Sequence, residues 1–285
     1  MPFVAPSPIR EITIKPRDFK TLCNLVHDLA GIKLHEGKEG LVRARLSKRM
    51  RILGIYDLGD YLHYVEVDSS QTELMTMVNA LSTNFTSFFR EKSHFDFLKN
   101  TILPQIVSRA ARAGHYSLRA WSAGCATGEE PYSLAIILRE SLPTWRLLDP
   151  KILATDISTR ALEIAKAGIY SQERIQPVPP SLRQRHFELD GDDGRKFFTV
   201  NDKLKSCVSF QRLNLMEPWA IRGPFDFIFC RNTMIYFDKP TQERLVNRFY
   251  DYLRNEGYLI IGHSESLTGI THRFEYEKPT IYRKT

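Results

Sequence analysis

Two different periodicities divide this chain. Over residues 15–89 apolar positions recur at helical spacing, with polar loops around Gly31, Gly37 and Gly54 and no strand-like alternation, which predicts a small all-helical domain. Thr13 stands ahead of it as a cap. Residues 39–53 can be read position by position: Val42, Leu46, Met50 and Leu53 recur at i, i+4, i+8 and i+11 and make a narrow apolar stripe. Arg45, Lys48 and Arg51, at i, i+3 and i+6, fall on the opposite face. Most such runs are solvated faces. Three cations on one face without interleaved acids make a docking role equally plausible.

From residue 118 the pattern changes. Short apolar runs at 118–121, 152–155, 208–213, 225–230 and 258–262 read as strands of a parallel sheet buried on both faces. Helical patterns separate most of them, at 132–142, 159–167 and 241–253, the last with Asp238 as cap and Pro240 just inside. Runs at 274–278 and 280–283 flank Pro279 and predict a terminal antiparallel addition. The alternation predicts a doubly wound α/β domain. Residues 170–206 interrupt it, because Phe187 to Leu189 and Lys196 to Val200 flank Asp-Gly-Asp-Asp-Gly, a hairpin signal. Such an insertion is a structural flap or an edge offered to another protein. The expected division is a helical domain over 1–89, a linker over 90–117 and an α/β domain over 118–285 with the insertion at about 170–206.

The segment 118–138, LRAWSAGCATGEEPYSLAIIL, is a strand, a small-residue loop and a helix opened by Pro131. Gly124 and Gly128 lack side chains that would keep a nucleotide-like ligand away from the loop amides and the helix start. Glu129 and Glu130 occupy that helix start and disfavour a polyanion, so a ligand with hydroxyls or positive charge fits better. The loop also lacks G-x-G-x-x-G, which argues against dinucleotide binding. Asp156, closing the run KILATDI, can hydrogen-bond the ribose hydroxyls of a nucleoside or cap the next helix. S-adenosylmethionine, a nucleoside with a sulfonium and no phosphate, suits this set.

Composition narrows the setting. With 285 residues, 42% apolar and 26% charged, the chain is of ordinary globular make-up, and no apolar run approaches the ~20 residues of a membrane span. The start MPFVAPSPIR lacks the apolar core of a secretory signal, so a cytoplasmic protein is expected. Cys23, Cys125, Cys207 and Cys230 form no CxxC pair and no HExxH is present, so neither disulfide framework nor metal site is expected. A net charge of +7 implies an acidic partner, nucleic acid or protein. No aromatic RNA-binding motif is visible, which favours protein. His263, Ser264 and Glu265 are consecutive and cannot face one another as a hydrolase triad.

WSAGCATGEEPYSLA, with ALSTNFTSFFRE at 80–91, ATDIS, RLNLM, GPFDFIFCRNTMIYFD at 223–238 and GHSES at 262–266, resembles the CheR-type chemotaxis receptor methyltransferases, motif after motif in the family's order. The resemblance implies a Rossmann-like S-adenosylmethionine-dependent methyltransferase domain with a mostly parallel sheet and a β-subdomain insertion, preceded by a small all-α domain. It implies methyl transfer from S-adenosyl-L-methionine to receptor glutamate carboxylates, with S-adenosyl-L-homocysteine as product and no metal. Position by position, Asn84, Thr86 and Arg90 match the cofactor-contacting stretch. Gly124 belongs to the cofactor loop, and Glu130, with Glu129 as a secondary candidate, matches the acid near the methionine moiety. Asp156 matches the ribose partner, Asn214 and Leu215 the adenine side, and Arg231 and Asn232 the strand-end pair beside the cofactor. Arg90 and Tyr236 match the residues nearest the transferred methyl. Arg45, Lys48 and Arg51 fall where the family docks on acidic receptor helices. Some members also capture a receptor C-terminal peptide at the β-subdomain. The partners so implied are chemoreceptors and no nucleic acid, with the membrane reached only through the receptor. Two rivals fare worse: methylases of planar amines carry an Asn-Pro-Pro-aromatic turn where this chain has Asn232-Thr233-Met234-Ile235-Tyr236, and a non-catalytic scaffold would not need these site residues.

Overall fold

A computed structural model describes residues 11–35, 37–82, 84–113, 116–142, 148–191 and 196–285. The first ten residues, read above for a signal segment, and the hairpin tip at 192–195 lie outside them. The chain forms two compact units, Met1–Thr83 and Asn84–Thr285.

The first unit holds helices α1 (Pro16–Ala30), α2 (Glu39–Ile52), α3 (Leu58–Val67) and α4 (Thr72–Leu81). Val42, Leu46 and Met50 share one buried cluster with Leu22, Val26, Tyr61 and Met77, so the apolar stripe of α2 is its core face. Thr13 does not cap α1; Lys15 holds the cap position ahead of Pro16, and Thr13 bridges to Asp57 instead. Arg49 of α2 grips both oxygens of the buried Glu73, which also accepts the Tyr61 hydroxyl at 2.7 Å, tying three helices together. Burial alone would raise the Glu73 pKa, but Arg49 and Tyr61 outweigh it and hold it low.

The linker expected over 90–117 is replaced by helix. α5 (Lys92–Phe97), a π-helical turn (Leu98–Ile102) and α6 (Leu103–Ala113) run almost without a break, and Phe95, Leu98, Ile102, Ile106 and Ala110 are buried with the sheet. That spacing is helical. Pro104 disguises it, falling at the second position of α6 directly after the π-helical turn. The unit boundary accordingly falls after Thr83 and not at residue 89.

The main sheet contains β1 (Arg119–Ala123), β2 (Lys151–Asp156), β6 (Val208–Arg212), β7 (Phe225–Cys230) and β8 (Leu253–Ile261), all parallel, with β10 (Ile281–Arg283) and β9 (Glu275–Lys278) added antiparallel. Its order is β6-β2-β1-β7-β8-β10-β9. Alternate residues enter opposite layers: Ala120, Phe227, Phe229 and Ile260 pack with α5, α6 and α7 (Glu129–Ser141), while Trp121, Ile228, Cys230 and Ile261 pack with Leu245, Val246 and Phe249 of the helix Lys239–Tyr252. That two-sided burial is the doubly wound arrangement. β2 and β7 flank β1 on opposite sides, so the strand order reverses there, and in open α/β sheets ligands bind outside the carboxyl ends of the strands at such a point. The insertion builds a second, antiparallel sheet from β3 (Ile169–Ser171), β4 (Phe187–Asp190) and β5 (Phe197–Val200), in the order β3-β5-β4.

Candidate active site

The loop after β1 is folded down onto the end of β2. Gly124 and Cys125 donate their N–H groups to the Thr155 carbonyl at 2.8 and 2.9 Å, and Gly124 and Gly128 take φ of +81° and +96°. A side chain at Gly124 would collide with Thr233, and one at Gly128 would come within 2.8 Å of the Tyr170 hydroxyl and 2.9 Å of Ala165. The bare sides of both glycines therefore face protein; their absent side chains let the loop pack, more than they clear space for a ligand. Asp156 is buried at the tip of β2, its Oδ2 accepting the Ala126 N–H and its Oδ1 the Ser158 N–H, both at 2.8 Å. A second lone pair stays on each oxygen. Burial pushes its pKa up against the pull of these amides. The helix cap is Ser158, which accepts the Ala161 N–H and also the Asn84 amide at 3.4 Å, so Asp156 is not the cap.

Leu213 donates to the Asp156 carbonyl at 3.1 Å, which brings Asn214 and Leu215 beside it. Asn214 is buried, accepting the Met216 N–H and donating to Glu217, both at 3.0 Å. Leu215 is buried too, and its carbonyl accepts from Trp219 and Arg248.

The two acids that open α7 are both neutralised. Glu130 accepts the Ser122 hydroxyl and the Arg231 Nε, each at 2.7 Å. Glu129 is held by Arg174, from the insertion, and by Thr127 at 2.8 Å. Carboxylates so paired repel a phosphate less than the sequence suggests. Arg231 is the hub: buried, stacked over Phe95 and Phe229 at 5.3 and 5.5 Å, it donates through Nη1 to the Arg90 carbonyl at 2.7 Å, to His94 Nδ1 at 2.9 Å and to Glu91 at 3.2 Å. Its Nε and Nη1 are thus engaged by protein, which fixes the guanidinium in place at the end of β7. Glu91 was legible only as a neighbour of Arg90, yet it is Arg231 that it pairs with. Burial would raise the Glu91 pKa; Arg231, the His263 amide and Asn232 hold it below the ordinary range. The Arg90 side chain is half-buried, donating to the Phe85 carbonyl at 3.0 Å across the exposed Phe85 ring. Thr86 and Tyr236 are also half-buried, with no side-chain hydrogen bond among the described residues.

A family model described as the CheR methyltransferase SAM binding domain matches residues 84–283, and one described as the CheR methyltransferase all-alpha domain matches residues 17–82. The chain belongs to the CheR methyltransferase family. It is 40% identical over 275 residues to the chemotaxis protein methyltransferase of Borreliella burgdorferi, covering 96% of each chain. It is 41% identical over 277 residues to that of Klebsiella aerogenes, covering 97% of this chain and 92% of the other. Chemotaxis protein methyltransferase 2 of Pseudomonas aeruginosa is 40% identical over 288 residues, covering 99% of each. This CheR-family chain is therefore an S-adenosylmethionine-dependent methyltransferase acting in chemotaxis, with S-adenosylhomocysteine as its product. The donor set of the crevice fits that cofactor: a buried strand-end carboxylate with lone pairs to offer hydroxyls, and two arginines, Arg231 and Arg174, each already matched by a glutamate.

The remaining candidates of the CheR-family fold sort as follows. Cys125 and Cys230 are buried, which drives both thiols well above their ordinary pKa and leaves them packing groups. Glu91, His94 and His263 converge closely enough to offer one ligand atom each to a metal. His94 nevertheless accepts from Arg231 at Nδ1 and faces the Thr280 hydroxyl at 2.7 Å through Nε2, and burial together with Arg231 pushes its pKa down to about 3. That neutral imidazole is a spacer between Arg231 and Thr280 more than a cation ligand. On α2 the three cations do not share one environment. Lys48 and Arg51 are exposed, but Arg45 is half-buried and donates to the Leu81 and Ser82 carbonyls at the end of α4, where the helix dipole favours a cation. No helix among the described residues is long and apolar enough to cross a membrane.

Proposed function

We propose that this enzyme methylates glutamate side chains of chemoreceptors in the cytoplasm, forming γ-methyl esters in chemotactic adaptation. The observation that carries the reading is the Arg231 bridge. It ties the 84–91 stretch, which bears Arg90, to the loop after β7, which bears Tyr236, and to Glu130 at the start of α7. When bound, S-adenosylmethionine supplies an electrophilic methyl on a cationic sulfur. A glutamate side chain has a reference pKa of about 4.3, so at neutral pH it attacks as the carboxylate without a general base. The C–O bond forms as the C–S bond breaks and its electron pair stays on sulfur. Anion and cation both vanish, which a water-poor crevice favours.

In this reading Arg90 holds the incoming carboxylate and Tyr236 orients it with its hydroxyl. Asn84, Thr86, Arg90, Gly124, Glu130, Asp156, Asn214, Leu215, Arg231 and Asn232 contact the cofactor, and Arg231 also fixes Glu130 and the Arg90 backbone. Lys48 and Arg51, with Arg45 behind them, dock acidic receptor helices. The outer edge of β4, with Leu189 exposed, suits a receptor C-terminal peptide added as a further strand.

Arg90→Ala and Tyr236→Phe should each lower turnover roughly 10- to 100-fold with little change in S-adenosylhomocysteine affinity measured by calorimetry. Equal loss of cofactor binding in both would remove these roles. Label from the cofactor methyl should pass to receptor-containing membranes and leave as methanol in base; base-resistant label would exclude an ester.

A further inference from the structure

The segment Gly262-His263-Ser264-Glu265 has no part in the chemistry above, although its acid is buried. It follows β8, the strand beside β7, and turns back so that Glu265 donates its own N–H to the Gly262 carbonyl at 2.9 Å. The Glu265 carboxylate then collects three backbone donors. Oε2 accepts the N–H of Gly262 at 2.6 Å and of Asn232 at 2.9 Å, and Oε1 accepts that of Ile235 at 3.2 Å. No Lys or Arg among the described residues is paired with it. A side chain at Gly262 would lie 2.6 Å from the Asn232 amide nitrogen and 2.8 Å from its backbone nitrogen, so only glycine lets the two strand ends approach this closely.

What the carboxylate holds is not a relaxed loop. Asn232 has φ +55°, a left-handed conformation that a non-glycine residue keeps only where its surroundings over-determine it. Its side chain is also tied, donating to Glu91 at 3.3 Å. Beyond it the chain makes the single 3-10 turn Met234–Tyr236, with the Met234 carbonyl accepting from Gln242 at 2.8 Å. Glu265 thus grips the backbone at Asn232 and again at Ile235, the residue before Tyr236.

We propose that Glu265 is a positioning residue for methyl transfer, its carboxylate fixing the backbone at 232–235 so that Asn232 and Tyr236 face the reacting groups. It rests on the reading of Tyr236 given under Proposed function. A carboxylate is required because three N–H donors converge on two oxygens; an amide would turn an NH2 group towards one of them.

The test uses the full chain with Glu265→Gln, Tyr236→Phe and the double variant. Glu265→Gln should lower kcat roughly 10- to 100-fold while S-adenosylhomocysteine affinity stays within about threefold. Amide exchange at Asn232 and Ile235 should speed up about tenfold or more while Ile228 inside β7 keeps its protection. The double variant should be no slower than the slower single one, since a displaced Tyr236 has nothing left to lose. Multiplying losses in the double variant, or exchange rising uniformly through β7 and β8, would overturn the proposal in favour of a general packing role. If Tyr236→Phe alone keeps parental kcat, the reading of Tyr236 fails; Glu265 then acts through Asn232, supported by lowered kcat with local exchange and overturned by parental kcat. Should Glu265→Gln not fold, Glu265→Asp keeps both acceptors one methylene short and is judged by the same measurements.

Discussion

The cations of the two units are engaged differently. In Asn84–Thr285, Arg231 and Arg174 turn inward, each onto a glutamate at the start of α7, and Arg231 also gathers His94, Glu91 and a backbone carbonyl. In Met1–Thr83, one helix sends its cations four ways: Arg49 inward to Glu73, Arg45 sideways to the end of α4, Arg43 to Glu11 ahead of α1, and Lys48 and Arg51 into solvent. A basic run is therefore not one feature. On α2 the cations with a fixed partner inside the unit set architecture, and the exposed Lys48 and Arg51 are those placed to answer to another molecule.

The sharpest way to break this contrast is at Arg231. Removing it leaves the buried Glu130 and the half-buried Glu91 without their cation, a loss on the order of 3 to 5 kcal/mol. The urea midpoint of Arg231→Ala should fall accordingly. Arg231→Lys should recover only part, because a single ammonium cannot serve Glu130 from one nitrogen and His94 and Glu91 from another. A midpoint close to the parent in Arg231→Ala would mean that the hub is decorative.

A smaller effect lies in pH. His94 titrates near 3 in the folded chain and near 6.5 unfolded, so the unfolded chain takes the proton first. Its contribution is present above pH 6.5 and is lost as pH falls towards 3, by up to about 1.4 kcal/mol per pH unit. Glu265 and Asp156, whose pKa values are raised by burial, act in the opposite direction on acidification, so the net slope is shallower. The discriminating quantity is the difference between parent and His94→Gln in denaturant unfolding from pH 7 to 5. Parallel slopes would mean that the imidazole is not held neutral.

How far the sequence reaches follows from the range of each interaction. The alternation of strand and helix, the loop after β1 and the cap at Asp238, which accepts the Thr241 N–H at 3.0 Å, are written in local periodicity and turn chemistry. The helix over 92–113 was equally periodic but masked by Pro104. The hub joins Arg231 to Glu130, Glu91 and His94 across more than 100 residues of chain, and Glu265 meets Asn232 across 33. No local pattern announces such pairs. The one available signal was a cluster of acids, arginine and histidine at the margins of matched motifs, and in GHSES that signal looked like a failed catalytic triad. Arg45 fell short for the same reason: its spacing placed it with Lys48 and Arg51, while the carbonyls it serves lie 36 and 37 residues away.

The mildest substitutions sharpen the comparison most finely, because they separate cations three residues apart on α2. Arg45→Ala withdraws a donor from the last carbonyls of α4 and should cost about 1 kcal/mol, read as a lowered thermal midpoint. Lys48→Glu with Arg51→Glu touches no fixed partner among the described residues and should leave stability within about 0.5 kcal/mol. If those two side chains meet an acidic receptor surface, the same pair should raise KM for receptor methylation at low salt and flatten its dependence on ionic strength, leaving kcat near parental. Arg45→Ala should do the reverse, moving the midpoint more than the salt slope. Equal midpoints for Arg45→Ala and Lys48→Ala would dissolve the distinction within α2, and an unchanged KM in the double charge reversal would take the outer face of this helix out of receptor docking altogether.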